Sequence, residues 1–412
     1  MSTINVWHKK ENTMIYLSEK MIRYQVFTVA LLFILGVAQG DGCSGVQDGD
    51  KIVVVGAGFA GLSAAYDLLK ATEDKKKIKL IILEAEKEIG GRGVSRNHYF
   101  NETNFTGVCY GAYWLTGSDG PQHATGLNPE NGAAHKLAKE ARVTDYDLFD
   151  RITEDTPQKS TYLPLDKNER MSSTWPNFKK SCGAEGKVHW NAASRSERNT
   201  MPFDNILQER VKKQLGLSDD EFWTFFQDYN GQISGVAPEE TWAGAYWEGV
   251  AATNYQILNG GFSKLYEFLK DEIVDIVKEK NKKYNESERT KIQFKMQHTV
   301  TKLKHKINKK MEPKVRLNAK TSIGETKKIK VDKVVVTVSV AVLKSLKFSP
   351  ELPSKYTNSL NAVGMGANSK TILFYKKRFW DKHIPKGSRY VYFHNARVTG
   401  DYFTLLEYFL SI

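Results

Sequence analysis

The sequence predicts an α/β protein: a Rossmann-like, doubly wound parallel sheet with an α+β domain interleaved into it. Three observations carry this. Residues 51–71, KIVVVGAGFAGLSAAYDLLKA, read as a buried strand, a glycine turn and an amphipathic helix in succession. A second buried strand follows in IKLIILEAE. A third apolar run, DKVVVTVS, returns only after a polar, Gly-, Trp- and Asn-rich middle from about Thr125 to Glu239, and that shift in composition marks a second domain.

Taken in order, the first strand spans Ile52 to Val55, four β-branched residues in a row, as in a strand covered on both faces. The helix after it runs to about Lys70. The second strand ends at Glu84 and is built from five Ile and Leu residues with a charged terminus. In the middle region, AAHKLAKEA and DNILQERVKKQLGL carry helical spacing, and GGFSKLYEFLKDEIVDIVKE is a helix led in by two glycines. Strand signals cluster at HTVTKLKHKI, KVRLNA and DKVVVTVS, and SKTILFYKKRFW is strand-like again after AVGMGAN. No internal repeat is present. At 412 residues and 41% apolar content the chain can bury a sizeable core.

The net charge of +13 does not point to nucleic acid, because it is local. Lys278 to Lys333 holds 19 Lys and Arg against 6 Asp and Glu, an excess that equals the whole chain's, so the remainder is neutral. Within it TVTKLKHKINKK alternates basic with apolar or neutral residues, the pattern of a strand with one solvated face; an anionic partner such as membrane or glycan is the other reading.

At the N-terminus, Arg23 precedes a thirteen-residue run from Val26 to Ala38 that is apolar apart from one Thr. That is short for a bilayer span and suits the core of a signal peptide, with small residues at Gly36, Ala38 and Gly40. Residues 1–40 are therefore expected to be a signal peptide or N-terminal anchor, started at Met1 or Met21, and the protein to enter the secretory pathway with no stable membrane span. Sequons at Asn101, Asn104 and Asn285 accord with a secreted glycoprotein. Cys43, Cys109 and Cys182 allow at most one internal bridge, and no metal site is expected.

Gly56-Ala57-Gly58-Phe59-Ala60-Gly61 is a G-x-G-x-x-G between a buried strand and a helix. The first glycine permits the tight turn, the second lets backbone approach a pyrophosphate, and the third lets helix and strand pack closely. The helix N-terminus then offers N–H groups and a positive dipole end to phosphates. Glu84 closes the next strand, where a carboxylate accepts hydrogen bonds from an adenosine ribose; a solvated strand-end carboxylate is the bland alternative. An acid rather than an arginine there disfavours a 2′-phosphate, and with it NADP. The following EAEKEIGGRGVS supplies a second glycine pair, Gly90 and Gly91, and a fixed cation, Arg92, which favours a flavin over a nicotinamide.

With VVVGAGFAGLSAAYDL, LEAEKEIGGR, GAYWLTG, GGFSKL, VVVTVSVAVLKSLKFSPELP and SKTILFYKKRFW in this order from about residue 50 to 395, the chain resembles the flavin-dependent amine oxidases. TVSVAVLK…FSPELP is most similar to their polyamine and spermine oxidase branch. The resemblance implies FAD as cofactor, its ribose on Glu84 and its phosphates beside Arg92. It implies that the Gly111–Gly117 loop lines the flavin ring with Trp114 as a neighbour, although a Trp there is equally a core aromatic. It implies further that the backbone of Val300 meets the adenine and that Lys370 matches the lysine that holds a water against flavin N5, a surface lysine being the alternative. Thr116 stands where the polyamine branch usually has His or Glu to meet substrate; a hydroxyl can hydrogen-bond an amine without offsetting its charge.

The implied reaction is oxidation of an amine, most closely a polyamine such as spermine or an acetylated polyamine, with hydride passing to flavin and O2 reduced to H2O2. An L-amino-acid or other amine oxidase of the same fold, or a non-catalytic truncated relative, are the alternatives. The implied domains are FAD-binding at 48–125 and 240–348 and substrate-binding at 126–239 and 349–412. The last is expected to be incomplete, since the family's final GE…G…GA…SG segment does not occur before Ile412. No motif sets the oligomeric state.

Overall fold

A computed structural model of the protein describes residues 45–100, 103–112, 115–116, 137, 140–141, 160–163, 165–192, 203–226, 255–256, 260–286, 289–307, 313–366, 372–375, 382–384, 390–393 and 404–406. Its strands are β1 (Lys51–Val55), β2 (Lys79–Leu83), β3 (Ser95–Phe100), β4 (Thr103–Cys109), β5 (Leu115–Thr116), β6 (Ser160–Leu163), β7 (Tyr255–Gln256) and β8 (Lys291–Lys295). They continue with β9 (His298–Ile307), β10 (Pro313–Thr321), β11 (Thr326–Val331), β12 (Lys333–Val336), β13 (Lys347–Ser349), β14 (Tyr390–Phe393) and β15 (Thr404–Leu406). The helices are α1 (Phe59–Ala71), α2 (Asn168–Ala192), α3 (Asn205–Leu215), α4 (Asp219–Phe226), α5 (Ser263–Asn281), α6 (Val340–Ser345) and α7 (Ser354–Ala362).

The organising unit is a parallel sheet in the order β12-β1-β2-β8, with Val53 paired to both Val334 and Ile81. Side chains alternate across a strand, so the uninterrupted apolar run of β1 serves two cores. Ile52, Val54, Leu80 and Ile82 meet Leu62, Ala65 and Leu69 of α1 and Leu265, Leu269 and Ile273 of α5. Val53, Val55, Ile81, Leu83 and Val336 face the other way and meet Val300, Leu303, Val315, Leu317 and Ala319.

That second face differs from the doubly wound expectation. It is covered, among the described residues, by a second sheet in the order β11-β10-β9-β13 rather than by helices. The sheet can do this because β9 and β10 bring apolar residues to one side and lysines to the other, while β11 adds Ile329 and Val331 to the inner side with Lys328 and Lys330 opposite. The alternation in β9 is broken at one point: the register shifts between Asn318 and Ala319, where Leu317 opposes Leu303 and Ala319 opposes Val300. The extra residue turns both Val300 and Leu303 inward, as a β-bulge does.

β8 and β11 are weak strand signals because KIQFK and TKKIKV are lysine-rich and carry only two alternating apolar residues each. Backbone pairing with β2 and β10 makes them strands. Conversely, SKTILFYKKRFW is not a strand over its described part, residues 372–375. There Phe374 packs edge-on against Phe105 at 5.0 Å between centroids and against His98, while Leu373 and Tyr375 are exposed. Smaller sheets are β15-β14-β6, β3-β4 and β5-β7.

The middle region forms a helical cluster with an aromatic core: Trp175, Phe178, Phe203, Phe222, Phe225 and Phe226 are buried together. The sequence marks its helix ends. Asp204 caps α3, its Oδ1 accepting from the N–H groups of Ile206 and Leu207 at 3.0 and 3.1 Å, and Gly216 ends the helix at φ +61°. Ser218 and Glu221 make a reciprocal capping box at the start of α4. Phe178 lies 5.1 Å from Phe225 and is fully buried. Phe178→Ala is therefore expected to destabilise this cluster by about 3–5 kcal/mol, read in urea unfolding followed by tryptophan fluorescence.

Candidate functional site

The site is built at the carboxyl ends of β1, β2 and β12. The glycine loop leaves β1 after Val55, and Gly56 continues the ladder by donating its N–H to the Leu83 carbonyl at 2.8 Å. A methyl group on Gly61 would overlap the Gly56 carbonyl oxygen and stand 2.8 Å from Thr337 Oγ1. Helix α1 can therefore begin this close to the loop only with glycine at that position. Gly58 is its N-cap and makes no side-chain cap bond. The first-turn N–H groups have no intrahelical acceptor.

Glu84 follows β2 and is only 7% exposed. Its Oε2 accepts from the N–H of Ala57 at 2.6 Å and its Oε1 from the N–H of Glu86 at 3.0 Å. Its backbone continues the sheet, accepting from His298 N–H at 2.7 Å and donating to the Lys295 carbonyl at 2.9 Å. A carboxylate has about four acceptor positions, so each oxygen keeps capacity for a ribose hydroxyl after its backbone bond is made.

The second glycine pair comes back onto the first loop. Gly90 donates its N–H to the Ala57 carbonyl at 2.9 Å and bridges to Gly58 in parallel register. Its φ of +114° is a backbone setting that side chains avoid. Gly91 faces the Cα of Gly58, and Arg92 follows in a 3-10 turn with its residue exposed. The Arg92 carbonyl accepts from Ala112 N–H at 2.7 Å, and any side chain on Gly111 would overlap it. Gly56, Gly58, Gly61, Glu84, Gly90, Gly91, Arg92 and Gly111 thus form one constellation of close backbone, a buried carboxylate, a helix N-terminus and a cation. This is a set that fits a dinucleotide pyrophosphate and ribose.

Val300 sits in β9 opposite Ala319, two residues beyond the His298 contact to Glu84, which places its backbone at the same end of the sheet. Thr116 lies in β5 paired with Tyr255. Trp114 and Lys370 lie outside the described residues.

Three participants were not legible in the sequence. Thr337 closes β12 beside the loop, its Oγ1 donating to the Val55 carbonyl at 2.8 Å; the signal is a polar residue ending the run KVVV at the same sheet edge as the glycines. Tyr266 on α5 packs against Gly90 and leaves room for nothing but glycine at 93. Burial pushes its phenol up to about 12, with Cys109 adding to the shift and Arg92 partly offsetting it. Gly93 itself stands one residue beyond the GGR signature, and only its contact with Tyr266 identifies it.

The family of flavin containing amine oxidoreductases matches residues 59–408. Polyamine oxidase 2 of Arabidopsis thaliana is 24% identical over 81% of this chain and 60% of its own length. The corticosteroid-binding protein of Candida albicans is 23% identical over 80% of this chain and 62% of its own. The L-amino-acid oxidase of Crotalus adamanteus is 21% identical over 89% of this chain and 67% of its own. The chain spans about three fifths of the length of the first two relatives.

Two outcomes follow from this geometry. Gly61→Ala is expected to abolish retention of a flavin, read as loss of absorbance near the visible flavin bands after gel filtration, because its methyl overlaps the Gly56 carbonyl. The raised phenol of Tyr266 contributes stability that is complete below the unfolded value near 10 and is lost as pH rises toward about 12. Tyr266→Phe is expected to flatten the fall of Tm across that alkaline window relative to the parent.

Proposed function

Since this chain belongs to the flavin-containing amine oxidoreductase family, whose cofactor is FAD, we propose that it oxidises amines, with a polyamine as the substrate class. One observation carries the cofactor side of the reading. The buried Glu84 carboxylate is clamped to the glycine loop through Ala57 N–H at 2.6 Å and keeps acceptor capacity on both oxygens.

When bound, FAD accepts hydride from the carbon next to the amine nitrogen and returns the electrons to O2 as H2O2. The protein's residues do the rest. In a Rossmann-like reading of the parallel sheet, Glu84 holds the ribose hydroxyls. The α1 N-terminus and Arg92 meet the two phosphates, and the Val300 backbone meets the adenine. Gly111 and Trp114 border the ring, Thr116 hydrogen-bonds the amine, and Lys370 holds a water at the flavin edge. The pairing of β6 with β14 joins residues 160–163 to 390–393, which supports one substrate-binding unit made from 126–239 and 349–412 beside an FAD-binding unit from 48–125 and 240–348.

The polyamine assignment rests on the Arabidopsis relative, whose name states that activity, and on the TVSVAVLK…FSPELP stretch. An L-amino acid is the second reading, favoured by the rattlesnake relative that aligns with 89% of the chain. Residues 1–40 act as a secretory segment, and the exposure of Asn104 and Asn285 accords with glycosylation there.

The test is the visible spectrum of the purified protein followed by anaerobic addition of spermine and, separately, of L-leucine. Flavin bands that bleach with spermine support the proposal; bleaching by L-leucine alone moves the assignment to an amino-acid oxidase, and colourless protein overturns it. Lys370→Met is expected to lower kcat/KM roughly 100-fold with flavin content retained.

A further inference from the structure

The second sheet carries a charge distribution that the amine-oxidase reading does not use. Its four strands, β9, β10, β11 and β13, contain ten Lys and Arg and not one Asp or Glu. Their inward side chains, Val300, Leu303, Val315, Leu317, Ala319 and Val331, are committed to the core.

The register therefore fixes what stands on the outer face. Lys304, Arg316 and Lys330 are directly opposite one another in one row. Lys347, Lys302, Asn318 and Lys328 form the next row across all four strands. Like charges placed opposite each other on neighbouring strands, about 5 Å apart, repel. At physiological salt the screening length is about 8 Å, so solvent does not remove the repulsion. No ion pair joins the cations of these two rows to a carboxylate among the described residues; Lys327, which pairs with Ala319 on the other face of the sheet, lies 3.9 Å from Glu325.

Two features adjoin this face. The turn between β10 and β11, closed by Gly324 N–H donating to the Thr321 carbonyl at 2.9 Å, presents Ile323 at 84% exposure. A cavity of ≈ 220 Å³ lies at the same end, lined by two cations, Lys87 and Lys320, one acid, Glu86, and the polar side chains of Gln297, Thr299, Thr321 and Ser322. Neither Glu84 nor the glycines of the loop line it.

We propose that the outer face of this sheet docks the protein onto an anionic lipid bilayer. The cations are spread in two dimensions, across strands and along them, so a planar anionic surface engages both rows together, whereas a linear polyanion follows one. The exposed Ile323 is the kind of apolar residue that enters a bilayer interface beside basic neighbours. The cavity, whose two lysines and three hydroxyls outnumber its one carboxylate, accepts a headgroup phosphate. Each Lys or Arg near such a surface strengthens binding by about fivefold.

The test is co-sedimentation of the full flavin-loaded chain with vesicles of phosphatidylcholine alone or with roughly 30% phosphatidylserine, at about 0.1 M salt. Binding is expected only to the anionic vesicles. It should fall at least tenfold in Arg316→Glu/Lys330→Glu, fall severalfold in Ile323→Asp, and stay within twofold in Lys278→Glu/Lys282→Glu, which reverses as much charge at the C-terminal end of α5. Hydrogen exchange of the unaltered protein on vesicles should show new protection in β10 and β11, a readout that holds whether or not a variant folds. Equal binding to neutral vesicles, equal loss in the α5 variant, or retention by heparin without vesicle binding would each overturn the proposal.

Discussion

The hydrogen bond from Ala57 N–H to the Glu84 carboxylate is the contact on which the rest of the site depends. It ties the end of β2 to the turn after β1 in a place where an unmet donor is costly, about 1–3 kcal/mol for a buried N–H. Because the same carboxylate also holds Glu86 N–H and its backbone accepts from His298, one residue sets the loop after β1, the loop after β2 and the start of β9. The second glycine pair then returns to the Ala57 carbonyl. Three separate stretches of chain are thereby fixed around one buried charge.

That arrangement needs a rigid base, which the parallel sheet provides. With valine and isoleucine on both faces, β1 cannot be shifted by one residue without exchanging one apolar core for another, so its register is held by Ala57's position as much as by the ladder. The helices on one side and the second sheet on the other exclude water from both faces. They leave the carboxyl ends of the strands as the open edge, where ligands meet open α/β sheets. The glycines at 90, 93 and 61 are there for shape. Each stands where another group, the Tyr266 ring or the Gly56 carbonyl, occupies the space a side chain would take.

The covering sheet combines two demands. Its inner face must be apolar to bury the second side of β1 and β2, and its outer face is almost uniformly cationic. A sheet with mixed charges on that face would be more stable in isolation, since opposite charges across strands attract. Concentrating the cations therefore sets a cost in self-repulsion against the ability to meet an anionic surface.

The sequence by itself determined the parts that are local. The strand-turn-helix of residues 51–71, the acid closing β2, the GGR turn and the helix led by Gly260 and Gly261 all declare themselves within a few residues. A short window contains the whole physical reason for each. Only the tertiary structure decided what requires distant partners. Thr337 reaches the first strand across 282 residues. Tyr266 meets the glycines of a turn far earlier in the chain, the bulge in β9 reverses the side on which Leu303 points, and the lysine-rich β8 and β11 are held as strands by pairing. Backbone hydrogen bonding is indifferent to side-chain type, so a strand held mainly by its neighbours can show as little as two alternating apolar residues, as KIQFK and TKKIKV do. Helix and turn signals survive in sequence because their partners lie within three or four residues; the placement of one strand's side chains against another's does not.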